Sequence, residues 1–161
     1  MSAHILKLKV NGREYQALVS ANHTLAQVLR ENLGLTGTKQ GCQVGDCGSC
    51  TVLLDGEPVN SCLVLGVQAE SREVLTIEGL AEGNKLHPLQ DSFVRAGAIQ
   101  CGFCSPGMIL SAKALLERKP SPGLDDIRQG LAGNLCRCTG YQKIVEAVMQ
   151  ASHRMSGEAS S

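Results

Sequence analysis

The stretch Gly41-Cys42-Gln43-Val44-Gly45-Asp46-Cys47-Gly48-Ser49-Cys50 sets three cysteines and three glycines into ten residues, and a fourth cysteine, Cys62, follows it. Written as C-x4-C-x2-C-x11-C, the spacing is that of four thiolates gathered round one [2Fe–2S] centre. A loop wound so tightly needs positive φ angles and backbone N–H groups close to sulfur. Glycine supplies the first cheaply and permits the second. Gly41, Gly45 and Gly48 are the residues expected to do both.

Outward from that loop, the remaining four of the eight cysteines form a second group, Cys101-x2-Cys104-x31-Cys136-x-Cys138. Residues two apart lie on nearly opposite faces of a helix, so Cys136 and Cys138 can share a centre only from a loop. Cys101-Gly102-Phe103-Cys104 likewise precedes a helix expected to open near Pro106. Two loops leading into helices would then meet around an anionic centre, with the helix N-termini complementing its charge. On spacing alone a cysteine-bound zinc stays open, chiefly for this second group, and would make the protein a binding module. Disulfides are a third possibility. Two iron–sulfur centres would instead make the chain a carrier of single electrons.

Composition narrows the field. Fifteen basic and fifteen acidic residues cancel, and neither sign forms a block, which excludes the concentrated basic surface that nucleic acid requires. No apolar run approaches the ~18–20 residues of a membrane span. The opening Met1-Ser2-Ala3-His4-Ile5-Leu6-Lys7 lacks the basic segment and long apolar run of a secretory leader, so a cytoplasmic location is expected, where cysteines favour metal over disulfides. Aromatic residues make up only 2% of the 161 residues. A core of aliphatic side chains at roughly 80 residues per half is marginal, and metal centres would fasten each half.

Hydrophobic periodicity divides the chain into an α+β arrangement. Residues 5–10 alternate, Asn11-Gly12 signals a hairpin, and residues 14–19 form the returning strand. Thr24-x-x-Gln27 is a capping box for a helix reaching about Asn32. Residues 51–54 and 58–59 flank Asp55-Gly56, a second hairpin, and residues 74–77 read as one more strand. The first ~80 residues are thus a small mixed sheet with one packed helix. Beyond His87 only helices are expected, at 88–98, 106–118, 124–132 and 141–151, with 119–123 a loop. The expected division is 1–80, 81–154 and a disordered tail, 155–161. No internal repeat is evident. His23 and His87 read as surface residues beside helix starts, and Lys39 and Arg137 as solvated neighbours of cluster ligands.

Three segments together, Gly41 to Thr51, Gln100-Cys-Gly-Phe-Cys-Ser-Pro-Gly107 and Gly133-Asn-Leu-Cys-Arg-Cys-Thr-Gly-Tyr141, closely resemble the iron–sulfur subunit of the xanthine dehydrogenase (molybdenum hydroxylase) family. That family includes xanthine dehydrogenases, aldehyde oxidoreductases, carbon monoxide dehydrogenases, N-heterocycle oxidoreductases and 4-hydroxybenzoyl-CoA reductase. The resemblance spans about residues 4–152. It implies an N-terminal β-grasp domain like plant-type ferredoxin, then a C-terminal four-helix [2Fe–2S] domain. The ligands would be Cys42, Cys47, Cys50 and Cys62 in the first and Cys101, Cys104, Cys136 and Cys138 in the second. It also implies a large subunit carrying molybdopterin, as the cytosine dinucleotide in many members, and a medium subunit carrying FAD, in a heterotrimer or a dimer of heterotrimers. The C-terminal cluster would lie nearest molybdenum. Gln100 resembles the glutamine that hydrogen-bonds the pterin, and Cys138 the cysteine beside the pterin edge. Ser49 and Ser105 stand where relatives often have Ala and Thr, small residues that leave ligation intact. Nothing in the chain resembles an acid, base or nucleophile constellation, so no catalytic residue is expected. A free-standing ferredoxin-like carrier is the competing role; the balanced charge argues against it, since a diffusing carrier is usually steered by a field of one sign.

Overall fold

Apolar side chains at Leu6, Leu8 and Val10 all point one way because strand residues alternate faces. All three are buried in the computed structural model, which describes residues 3–158. Strand β1 (Ala3–Val10) pairs antiparallel with β2 (Arg13–Ser20), Val10 opposite Arg13. The turn residues Asn11 and Gly12 both have positive φ, the hairpin geometry that matches strand twist. Thr24 then caps helix α1 (Leu25–Gln27): its hydroxyl accepts the Gln27 N–H, and Gln27 Oε1 accepts the Thr24 N–H at 2.9 Å. The helix continues as a π turn, Val28–Asn32, and lays Leu25, Val28 and Leu29 on the sheet.

Strands β3 (Thr51–Leu54) and β4 (Glu57–Asn60) form the second hairpin about Asp55-Gly56. Strand β5 (Glu73–Leu75) slots between β1, to which it runs parallel, and β3, to which it runs antiparallel. The order is β2-β1-β5-β3-β4, the mixed sheet of a β-grasp. This last strand is shorter than the periodicity predicts, and the cause is Asn11. Its Oδ1 accepts the Thr76 N–H at 2.8 Å and its Nδ2 donates to the Thr76 hydroxyl at 2.9 Å. The hairpin turn thus takes the groups a neighbouring strand would use, and the chain bends into a 3-10 turn at Ile77–Gly79.

The helical half comprises α2 (Pro88–Arg95), α3 (Ser105–Arg118), α4 (Leu124–Gly130) and α5 (Gln142–Glu158). Proline occupies the first turn of α2 and of α3, where its missing N–H costs nothing. Leu89, Phe93, Met108, Ile127, Ile144 and Val148 make its core. One expectation needs correction. Residues 155–158, assigned to a disordered tail, continue α5 to Glu158, because Met155 still packs on the helical core and the Ser156 hydroxyl donates to the Ser152 carbonyl at 2.8 Å. Residues 159–161 lie outside the described residues. Among the described residues no helix is long and apolar enough to cross a membrane.

All four residues of β3 are buried. Val52 and Leu54 face the sheet core, while Leu53, on the opposite face, packs with Leu110 and Ala114 of α3. A strand covered on both faces joins the two halves by apolar contact, and that contact fixes where the cysteine loops lie.

Candidate metal centres

Eight free cysteines fall into the two expected groups, and within each group the sulfurs pair. Cys42 lies beside Cys47 and Cys50 beside Cys62; Cys101 lies beside Cys138 and Cys104 beside Cys136. The Cys138 thiol donates to Cys101 Sγ at 3.5 Å. No three His, Cys, Asp or Glu side chains among the described residues converge as closely as one metal ion demands. Two pairs per site suit a centre with two irons, each taking two thiolates, better than one tetrahedral zinc. No disulfide holds any of them.

Burial and backbone polarity prepare these sulfurs differently. Cys42 Sγ accepts N–H bonds from Val44, Asp46 and Cys47 at 3.4, 3.3 and 3.4 Å. The Val44 and Cys47 amides foremost hold its thiol down to about 6, so it is ionised at neutral pH. Burial pushes Cys62 up to about 11, with the Cys50 thiol beside it adding to the rise. In the second group, burial and then Cys136 raise Cys104 to about 12. Burial would also raise Cys136, yet the Thr139 hydroxyl, 3.0 Å from its Sγ, and the Thr139 N–H, at 3.4 Å, bring it below the ordinary thiol value. Cys101 is lowered by the Phe103 N–H and by the Cys138 thiol, and Cys138 is raised in return. Each group therefore holds thiols shifted in opposite directions, Cys42 down and Cys62 up in the first, Cys101 and Cys136 down and Cys104 and Cys138 up in the second. Ligation of iron would release whatever protons remain.

The glycines act less uniformly than expected. Gly45 and Gly48 have positive φ, but the third left-handed residue in the loop is Gln43, not Gly41. Gly41 is required for space: a Cβ there would sit 2.9 Å from Cys47 Sγ and 2.9 Å from the Ser49 hydroxyl. A Cβ on Gly48 would strike the Gly133 carbonyl and come within 2.7 Å of Asn134 Nδ2. The two cysteine loops touch at that point, and the Leu135 N–H donates to the Cys47 carbonyl at 2.9 Å. The Phe103 ring adds a second contact, 3.6 Å from the Cβ position of Gly41.

Exposure differs between the sites. Cys50 and Cys62 are buried, whereas Cys101 and Cys138 are exposed, as are Gln100 and Arg137 beside them. Ile99, Phe103, Leu135 and Tyr141, each within three residues of a cysteine of the second group, are exposed as well. Lys39 is half-buried, its Nζ donating to the Thr36 carbonyl at 2.8 Å. His87 is no plain surface residue: its Nδ1 accepts the Leu89 N–H at 3.2 Å, capping α2. Sequence reasoning took Ser49 only as a small residue and gave Tyr141 no role, yet the Ser49 hydroxyl lies 3.1 Å from Cys47 Sγ and the Tyr141 hydroxyl accepts the Cys136 N–H at 2.8 Å. The last helix was expected from Tyr141. The helix in fact opens at Gln142, because Thr139 is engaged with Cys136.

A mixed sheet and a helical bundle, each presenting two pairs of cysteines, define a two-centre [2Fe–2S] electron-transfer protein. Residues 8–81 match a family described as a 2Fe-2S iron-sulfur cluster binding domain, and residues 76–149 match a [2Fe-2S] binding domain. The nicotinate dehydrogenase small FeS subunit of Eubacterium barkeri is 47% identical over 154 residues, covering 96% of this chain and 98% of its own. The xanthine dehydrogenase iron-sulfur-binding subunit of Escherichia coli O157:H7 is 47% identical over 146 residues, covering 89% and 91%. Among solved structures, a chain of quinoline 2-oxidoreductase from Pseudomonas putida 86 superposes with a TM-score of 0.93 at 46% identity, over 96% of this chain and 97% of that one. The chain belongs to the iron–sulfur subunits of the xanthine dehydrogenase (molybdenum hydroxylase) family. It is an electron-transfer subunit of a multi-subunit oxidoreductase, and the zinc-module reading is set aside.

Proposed function

We propose that Cys42, Cys47, Cys50 and Cys62 hold one [2Fe–2S] cluster and Cys101, Cys104, Cys136 and Cys138 the other, within units of residues 1–80 and 81–154. When bound, these centres supply reversible one-electron storage. The protein's own share is to surround them with N–H and O–H donors, from Val44, Asp46, Cys47 and Thr139, and such donors tune reduction potential.

The second site faces a larger subunit bearing molybdopterin as the cytosine dinucleotide, with Gln100 and Cys138 against the pterin. The first site faces an FAD-bearing medium subunit or an external acceptor, in a cytoplasmic heterotrimer or dimer of heterotrimers. The single observation that carries this reading is the exposure of Cys101 and Cys138 together with that of Ile99, Phe103, Leu135 and Tyr141, each within three residues of a cysteine of the second group. A diffusing carrier gains nothing from exposed apolar side chains there, whereas a docked subunit buries them. Affinity purification of the chain from its native host tests this. A complex containing a molybdopterin subunit is the expected result, and recovery of the chain alone would overturn it.

A further inference from the structure

The two cysteine loops come from different halves of the chain, yet one buried side chain holds them together. Asn134 is 5% exposed. Its Nδ2 donates to the Gly48 carbonyl at 2.9 Å and to the Thr51 hydroxyl at 3.3 Å, and its Oδ1 accepts from the Ser111 hydroxyl at 2.8 Å. The Thr51 hydroxyl donates to the same Gly48 carbonyl at 2.7 Å. Thus α3, the Gly48 turn and the loop before Cys136 close on one carboxamide. Close packing enforces the arrangement: Gly107, in the first turn of α3, lies against the Gly48 carbonyl, and a Cβ there would be 3.0 Å from Asn134 Nδ2. The neighbours of the two clamped residues, Cys47 and Leu135, make the hydrogen bond between the loops. Cys47 carries that bond's carbonyl, and Leu135 precedes Cys136 directly.

We propose that Asn134 is a positioning residue for electron exchange between the two centres, clamping Gly48 so that the Leu135 N–H···O=C Cys47 bond links a ligand of one site to the neighbour of a ligand of the other. The proposal rests on the two-cluster reading above. In the step it serves, one centre is oxidised by one electron and the other reduced by one, and no bond or proton changes hands. A satisfied buried network of this kind specifies one arrangement, because moving any member leaves a polar group unpaired in a dry site. Without the carboxamide the Gly48 carbonyl keeps only its bonds from Thr51 and the Ser111 hydroxyl loses its acceptor, so the 2.9 Å contact between the loops is held less firmly.

The test uses the full chain loaded with iron and sulfide. Measurements are the EPR signals after dithionite, the rate of electron re-equilibration after flash photoreduction, and deuterium exchange at the Leu135 amide. Asn134→Ala should keep both EPR signals, lose Leu135 protection, weaken the spin–spin splitting between the signals and slow re-equilibration several-fold. Ile127→Val, which loosens the helical core away from the link, should leave the rate unchanged. Should Asn134→Ala fail to load, Ser111→Ala frees the carboxamide more gently and should shift rate and protection in the same direction. An unchanged rate and unchanged Leu135 protection, in Asn134→Ala or failing that in Ser111→Ala, overturn the proposal alone. A wild-type chain without two EPR signals overturns the relay reading and this proposal with it.

Discussion

Gly48→Ala and Gly56→Ala, compared side by side, separate backbone strain from the meeting of the two halves. Both glycines are left-handed, at φ +67° and +85°. An added Cβ at Gly56 meets nothing within 4 Å, so that variant carries only the left-handed strain, about 1–2 kcal/mol. At Gly48 the same strain is joined by collision with the Gly133 backbone carbonyl and with Asn134. Backbone cannot yield as a flexible side chain does. The overpacking costs about 1–3 kcal/mol, and loss of the Asn134 bond to the Gly48 carbonyl adds roughly 1 kcal/mol. Gly48→Ala should therefore exceed Gly56→Ala by about 2–4 kcal/mol, a large share of the ~5–15 kcal/mol that holds a domain folded. Guanidinium titration followed by far-ultraviolet circular dichroism measures the difference, and visible absorbance reports whether the centres survive it. Equal destabilisation by the two variants would refute the account of how the halves meet.

Replacing Cys104, buried where α3 begins, by Ser should remove one centre and about half the iron; retention of both EPR signals would exclude Cys104 as a ligand. Gln100→Ala, at an exposed position, should leave both centres intact and weaken association with the large subunit, measured by pull-down of the loaded chain; unchanged affinity would sink that role. His87 titrates below its ordinary value because burial, and then the charge of Lys113, disfavour the imidazolium. Its folded value thus lies below the unfolded ~6.5, so the unfolded chain takes the proton first. The stability it supports is complete above pH ~6.5 and falls as pH drops below that toward the folded value. His87→Asn, a cap that does not titrate, should show a smaller loss of melting temperature between pH 7.5 and 5.5 than the wild type; equal losses would refute the cap.

Much of the architecture was open to inspection in one dimension. Local chemistry explains why: alternation sets strands, Thr24 and Gln27 cap each other, and Asn11-Gly12 can only turn. Cysteine spacing alone separated the two candidate sites, because ligand sets drawn from short loops leave their geometry in the intervals between residues. What lay hidden are the distant pairings. The curtailed β5 answers to Asn11, and the persistence of α5 to Glu158 answers to the core beneath Met155. The role of Gly41 as a space-keeper depends on Cys47 and Ser49, which approach it only once the loop has closed.

The cysteine intervals, the capping box and the hairpin turns follow from neighbours within a few residues, whose covalent proximity makes their preferences independent of the rest of the molecule. Which sulfurs pair, which cysteines stay exposed, and how Asn134 reaches Gly48 across most of the chain's length were decided only in three dimensions. Those relations arise when β3 is buried on both faces, and no interval along the chain encodes the packing of one half against the other.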